Sequence, residues 1–224
     1  MSPIFSQGFI ESLDQNAIAF ITGKPTKVIP ASGEEFEGKL VAAGVINGYL
    51  NKITIKKEDG TKIKLEPENV KRLSVKISKL AKLSMMAEST QSIKTVANSN
   101  FSEIANREYI IFESGLRDKK KDKPRLMQLL NPGFDSKIKV FADPNAKETR
   151  GIGVAGVKLT GGVDKSYMFV VNGEKAVKVK KGNYKSNFDE LYLGCPKMVE
   201  TFSGEKTKWN DVAGHVFVYD QVCE

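Results

Sequence analysis

Between Ile53 and Leu65, apolar and polar residues alternate on both sides of an Asp-Gly pair: Ile53, Ile55, then Glu58-Asp59-Gly60-Thr61, then Ile63 and Leu65. A period of two sends successive side chains to opposite faces, and Asp-Gly favours the tight reversal of a hairpin. The segment is expected to be two strands and a turn, one face buried and one wet. The wet face carries Thr54, Lys56, Lys62 and Lys64 and no catalytic residue types. That pattern suits a domain that presents a surface rather than one that runs a reaction.

Similar short strands surround it. Glu35 to Val41 alternates, Gly44 and Asn47-Gly48 mark turns, and Val70 to Ile77 closes the series. Val28-Ile29-Pro30 ends at a proline, which places it at an edge or in a loop. Phe9-Ile10 and Ala17 to Ile21 are apolar and β-prone. Residues 8–78 are therefore expected to form a small β-barrel or roll. Residues 79–106 are rich in Ser, Thr and Asn with only loose helical spacing, and read as a linker with a short helix. Residues 107–224 read as an α+β domain. Its strands, within 107–182, are Tyr109 to Phe112, Leu126 to Leu130, Ile138 to Phe141, and a hairpin of Tyr167 to Val171 with Ala176 to Val179 around Asn172-Gly173. Its helices fall within 183–222. There Phe188, Leu191 and Tyr192 follow at helical spacing, Pro196 opens a turn, and Trp209, Val212, Val216 and Tyr219 form a stripe. The fold class is α+β and rich in β.

The 224 residues carry a net charge of +8. Residues 51–83 hold ten basic and four acidic groups and residues 107–182 hold seventeen and nine, whereas 1–50 and 183–224 are net acidic. The basic character thus sits on strand-like segments in the middle of the chain. Such a field attracts nucleic acid, anionic lipid or acidic glycans. The plainer reading is a solvated sheet face, because Lys also blunts exposed strand edges. The densest run, Arg117 to Arg125, has six basic residues in nine, including Lys119, Lys120 and Lys121, and no aromatic ring among them. It reads as a hairpin tip. Lys56, Lys62, Lys64, Lys119, Lys120 and Lys121 are the candidate anion-binding surface.

No motif supplies a convincing reaction centre. Gly151-Ile152-Gly153-Val154-Ala155-Gly156 matches G-x-G-x-x-G. A dinucleotide site needs a helix after the motif, and Val157-Lys158-Leu159-Thr160-Gly161-Gly162 is not helical in pattern. Cys195 and the lone histidine, His215, could form a nucleophile–base dyad, but a packed thiol and a surface histidine explain them as well. Two Cys and one His far apart lack paired zinc-ligand spacing. Asp135, Asp143 and Asp189-Glu190 read as turn and helix-start acids. We expect a non-enzymatic protein with no catalytic, cofactor or metal residues and no cofactor.

Two features bear on compartment. Met1-Ser2-Pro3-Ile4-Phe5-Ser6-Gln7 resembles the end of a bacterial secretory signal, with Ile4 and Phe5 closing an apolar core and Ser6 before the cut. The basic n-region and the apolar core of about 7–15 residues are not seen, so an ordinary terminus is the other reading. Cys195 and Cys223 permit one disulfide clamping the C-terminal segment; the alternative is two buried thiols. No apolar run approaches the ~20 residues of a membrane-spanning helix.

The stretch Phe36-Glu37-Gly38-Lys39-Leu40, followed by Ile53 to Val70 with its Asp59-Gly60 turn and Pro67, resembles exported and envelope proteins of Bacteroidetes bacteria. Tyr184 to Phe202, with Phe188, Leu191 and Gly194-Cys195-Pro196, is similar to a stretch in the same group, except that Gly194 stands where an Asp is usual. No activity is implied by that group. Residues 35–77 also resemble Sm-like RNA-binding barrels, although the first helix of that family is not evident in residues 8–30. The leading expectation is an exported binding or structural protein of the envelope, periplasmic, outer-membrane-associated or secreted, that meets an envelope component or an acidic polymer. The alternative is a cytoplasmic nucleic-acid-binding module using the basic β surface.

Overall fold

A computed structural model describes residues 9–10, 12–13, 18–76, 108–115, 123–146, 153–154, 157–158, 166–171, 173, 176–202 and 207–223. The expected signal remnant (1–7), the linker (79–106) and Lys119, Lys120 and Lys121 lie outside the described residues.

Seven antiparallel strands make the first sheet: β1 (Pro25–Pro30), β2 (Phe36–Ile46), β3 (Tyr49–Lys56), β4 (Lys62–Leu65), β5 (Val70–Lys76), β6 (Tyr109–Gly115) and β7 (Arg125–Gln128). Their order is β2-β1-β5-β6-β7-β3-β4, and β2 also pairs β3. That extra pairing closes six strands into a barrel and leaves β4 as a flap hydrogen-bonded only to β3. Turn chemistry explains the connections. Asn47 and Gly48 both have positive φ, 52° and 80°, as the two-residue β2–β3 turn requires. In the β3–β4 turn Gly60 sits at φ 89°, and the Thr61 amide donates to Asp59 Oδ1 at 2.8 Å. Gly38 is demanded by packing, since a Cβ there would lie 2.5 Å from Ile55 Cγ2. Register shifts beside Leu40 and Gly44 bend β2 enough to pair both neighbours.

Val28, Leu40, Ile53, Ile55, Leu73, Val75, Ile110, Phe112 and Leu126 fill the barrel, with Ile21 at one end. Burial of each such side chain is worth roughly 1.5–3 kcal/mol.

Several expectations change here. β1 is an interior strand, paired with β2 from Pro25 to Val28 and with β5 from Thr26 to Pro30. Its prolines are tolerated because Pro25 opens the strand and Pro30 lies past a register shift. α1 (Ile18–Ile21) is a single helical turn rather than a strand, ended by Gly23 at φ 78°. Gly44 is inside β2, not in a turn. The division between residues 8–78 and 107–224 does not describe the sheet. β6 pairs β5 over Arg72 to Lys76, and β7 pairs both β6 and β3. The edge of β5 finds its partner only after residue 107.

The remainder is α+β. A three-stranded sheet has the order β12-β11-β8, formed by β8 (Ile138–Ala142), β11 (Ser166–Val171) and β12 (Val177–Lys180). It hangs from the end of β7 through the Leu129–Phe141 bridge and the Leu130 amide on the Val140 carbonyl. Within the glycine-rich stretch, β9 (Gly153–Val154) and β10 (Val157–Lys158) form a short ladder. Among the described residues three α-helices follow: α2 (Phe188–Leu191), α3 (Pro196–Phe202) and α4 (Val212–Val222). The expected stripe of Trp209, Val212, Val216 and Tyr219 is buried, against Val140, Tyr167 and Phe169 of the sheet. Buried Asn131 ties down the loop before β8, donating to the Phe134 and Ile138 carbonyls and accepting from the Val140 amide, each at 2.8 Å. Glu113 on β6 receives Arg72 from β5 and Lys139 from β8, so one ionic group with a buried carboxylate spans both sheets. No helix among the described residues is long and apolar enough to cross a membrane.

Candidate anion-binding face

Register places the lysines. Lys56 on β3 stands directly opposite Lys39 on β2 and directly opposite Lys62 on β4. Opposed residues of antiparallel strands point to the same side. With Leu40 and Ile55 turned into the barrel, all three lysines are exposed outside it. Two residues along, Thr54 stands between Ala42 and Lys64; two further, Lys52 faces Gly44. Five lysines thus occupy one side of the β2–β3–β4 corner.

Their charges are largely uncompensated. Lys52 reaches Glu66 at 3.7 Å, and nearby Lys27 is neutralised by Glu37 at 2.9 Å. Among the described residues, Lys39, Lys56, Lys62 and Lys64 have no carboxylate partner. Like charges directly opposed across strands are destabilising. Edge protection accounts for Lys62 and Lys64, because β4 pairs on one side only. It does not account for Lys39 and Lys56, whose strands are paired on both sides.

Sequence reasoning named Lys56, Lys62 and Lys64 and missed Lys39 and Lys52. Lys39 lies eight residues before the Asn47-Gly48 turn, and its alignment depends on the register shift beside Leu40. Gly115 pairs with Arg125, so β6 and β7 meet at the ends of the Arg117–Arg125 run, and 117–122 lie outside the described residues.

The other candidate residues are committed elsewhere. Cys195 and Cys223 form a disulfide, with Cα atoms 5.4 Å apart and both residues buried. Cys195 is therefore no free nucleophile. His215 is not on the surface: it is 2 % exposed, and its Nδ1 lies 2.8 Å from the Tyr184 hydroxyl, which lies 3.0 Å from the Tyr192 hydroxyl. Phe188 and Phe202 pack against its ring. Burial lowers the His215 pKa to about 4, against a weaker upward pull from Asp211. Burial raises both tyrosines, so the cluster is neutral. Asp143 is buried too. Burial pushes its carboxyl up, but bonds from Lys178, Ser166 and the Asn145 amide outweigh that and hold it below the usual range. Asp135 pairs with Arg72 at 3.7 Å, and Asp189 and Glu190 sit in the first turn of α2. In the glycine motif, Gly153 and Val154 pair with Lys158 and Val157, so a strand rather than a helix follows.

Fold and face together define an antiparallel β-barrel protein with an α+β extension and a lysine-bearing corner. Comparison with known proteins found no matching family model, no matching curated protein and no matching solved structure.

Proposed function

We propose that this is a non-enzymatic, exported binding protein that associates with the cell envelope by holding an acidic partner on the β2–β3–β4 corner. The observation that carries the reading is the row Lys39, Lys56 and Lys62, directly opposed across the β2–β3 and β3–β4 ladders and without carboxylate partners among the described residues. Placing like charges face to face costs stability, and an anionic partner would remove that cost. Export is supported by the Cys195–Cys223 disulfide, because such bonds persist in oxidising compartments. It is also supported by the signal-like residues Ile4, Phe5 and Ser6 and by the resemblance to exported proteins. A binding rather than catalytic role is supported by the commitment of Cys195 to the bridge and of His215 to the Tyr184 contact.

The test is fractionation of cells making the native protein or K56E/K62E. The native chain should sediment with the envelope at low salt and be released at high salt, while the variant should remain soluble outside the cytoplasm. Recovery of the native chain only in the cytosol, or identical behaviour of both, would overturn the proposal.

A further inference from the structure

We infer that the lysine corner is a site for a linear acidic polysaccharide, one that carries a carboxylate or sulfate on successive sugars and lies across the strands. The inference rests on the binding role proposed above and names its ligand.

Spacing is the first argument. Adjacent strands lie about 5 Å apart, so Lys39, Lys56 and Lys62 repeat a cation at about the length of one sugar unit. A row of ammonium groups at that interval meets a chain bearing one anion per residue without asking it to bend. Lys64, one row along, adds a lateral contact.

The floor of the face is the second argument. Between and beside the lysines lie Thr54, Ala42 and Gly44, all small. A Cβ at Gly44 would meet nothing closer than 3.6 Å, so internal packing does not demand glycine there. The small residues leave a shallow lane in which a polymer can approach the backbone.

The residue types are the third argument, and they separate this ligand from nucleic acid. The row and the residues between its lysines are Lys, Thr, Ala and Gly, bounded by Glu37, which is held by Lys27, and by Glu66, which is held by Lys52; none is an aromatic ring on which a base could stack. They contain no arginine, the residue whose fork grips phosphate and guanine in two places. Lysine offers a mobile point charge, which suits carboxylates or sulfates of variable orientation. A disulfide suits an oxidising compartment, where extracellular polymers rather than RNA would be met.

The experiment uses the full chain with its disulfide intact. Polygalacturonate, single-stranded DNA of matched charge and neutral dextran are each immobilised and tested from about 50 mM to about 200 mM salt. Wild type should bind polygalacturonate more tightly than DNA, should ignore dextran, and should weaken steeply with salt. K56E/K62E should lose about tenfold or more of that affinity, since contacts to a polyanion act through counterion release. K197E, an exposed substitution on α3, should bind like wild type. Thermal unfolding of each variant checks that the fold is kept, and the single variant K39Q provides a milder probe should K56E/K62E fail to fold. Stronger binding to DNA, equal binding by the row variants and wild type, or no binding to polygalacturonate would each overturn this assignment. The envelope fractionation above is decided independently, because it does not depend on which polymer is bound.

Discussion

Lys56 and Lys39 face each other across the β2–β3 ladder, both exposed, on strands that are each paired on both sides. Neither residue guards an edge, and among the described residues neither has a carboxylate within ion-pair distance. The arrangement is a local conflict in an otherwise consistent barrel, and such conflicts concentrate where a surface has work beyond folding.

The first prediction concerns that conflict. Lys56→Gln should stabilise the free protein by roughly 0.2–1 kcal/mol, by removing repulsion from Lys39 and Lys62. The gain should shrink as salt screens the charges. Urea unfolding at low and high salt checks it; destabilisation at low salt would show that the row is not repulsive.

A second prediction follows from His215. Its pKa is about 4 in the folded protein, against 6.5 for the free side chain. The unfolded chain therefore binds the proton first, and stability falls as pH drops from about 6.5 to about 4, by about 3 kcal/mol in all. Below that window the contribution of His215 is flat. Asp143, held low by Lys178, Ser166 and the Asn145 amide, adds a further loss in more acid solution as it protonates. Denaturant midpoints at pH 7 and 4.5 measure the first effect. His215→Phe should flatten that span, with Tyr184 keeping Tyr192 as partner; an unchanged slope in the variant would contradict the assignment.

The disulfide gives a third. It closes a loop of sequence separation 28 around the ends of α3 and α4. Loop-closure entropy assigns such a bridge about 3.5 kcal/mol. The double variant C195A/C223A should lose stability of that order. In the native chain, mild reductant should act slowly without denaturant, because Cys195 and Cys223 are only 4 % and 5 % exposed. Rapid reduction of the folded protein would mean that the C-terminal segment opens readily.

Legibility from sequence followed locality. The Ile53–Leu65 hairpin was readable because period-two alternation and Asp59-Gly60 agree within a dozen residues. The Trp209–Tyr219 stripe was readable for the corresponding helical reason. β1 was misread because Pro30 signals a break, while the pairings that hold Val28 come from residues 36 and 73, outside any local window. Closure by β6 and β7 was invisible for the same reason: the partner of Leu73 is Phe112. His215 was misread because the first half of α4, from Val212 to Val216, is buried all round, so a lone polar residue there does not mark a wet face. Lys119, Lys120 and Lys121 lie outside the described residues. Of the lysines that share the proposed corner, Lys56, Lys62 and Lys64 were named from sequence because their hairpin is local. Lys39 joins them only through a register that two irregularities in β2 set.

Lysine-reactivity footprinting, with and without polygalacturonate, tests the central claim most directly. Each lysine is labelled and read by mass spectrometry. Lys39, Lys56, Lys62 and Lys64 should become protected together, at one polymer concentration, while Lys71 and Lys197 keep their reactivity. Protection spread evenly over all lysines, or confined to a part of the chain away from β2–β4, would contradict the account.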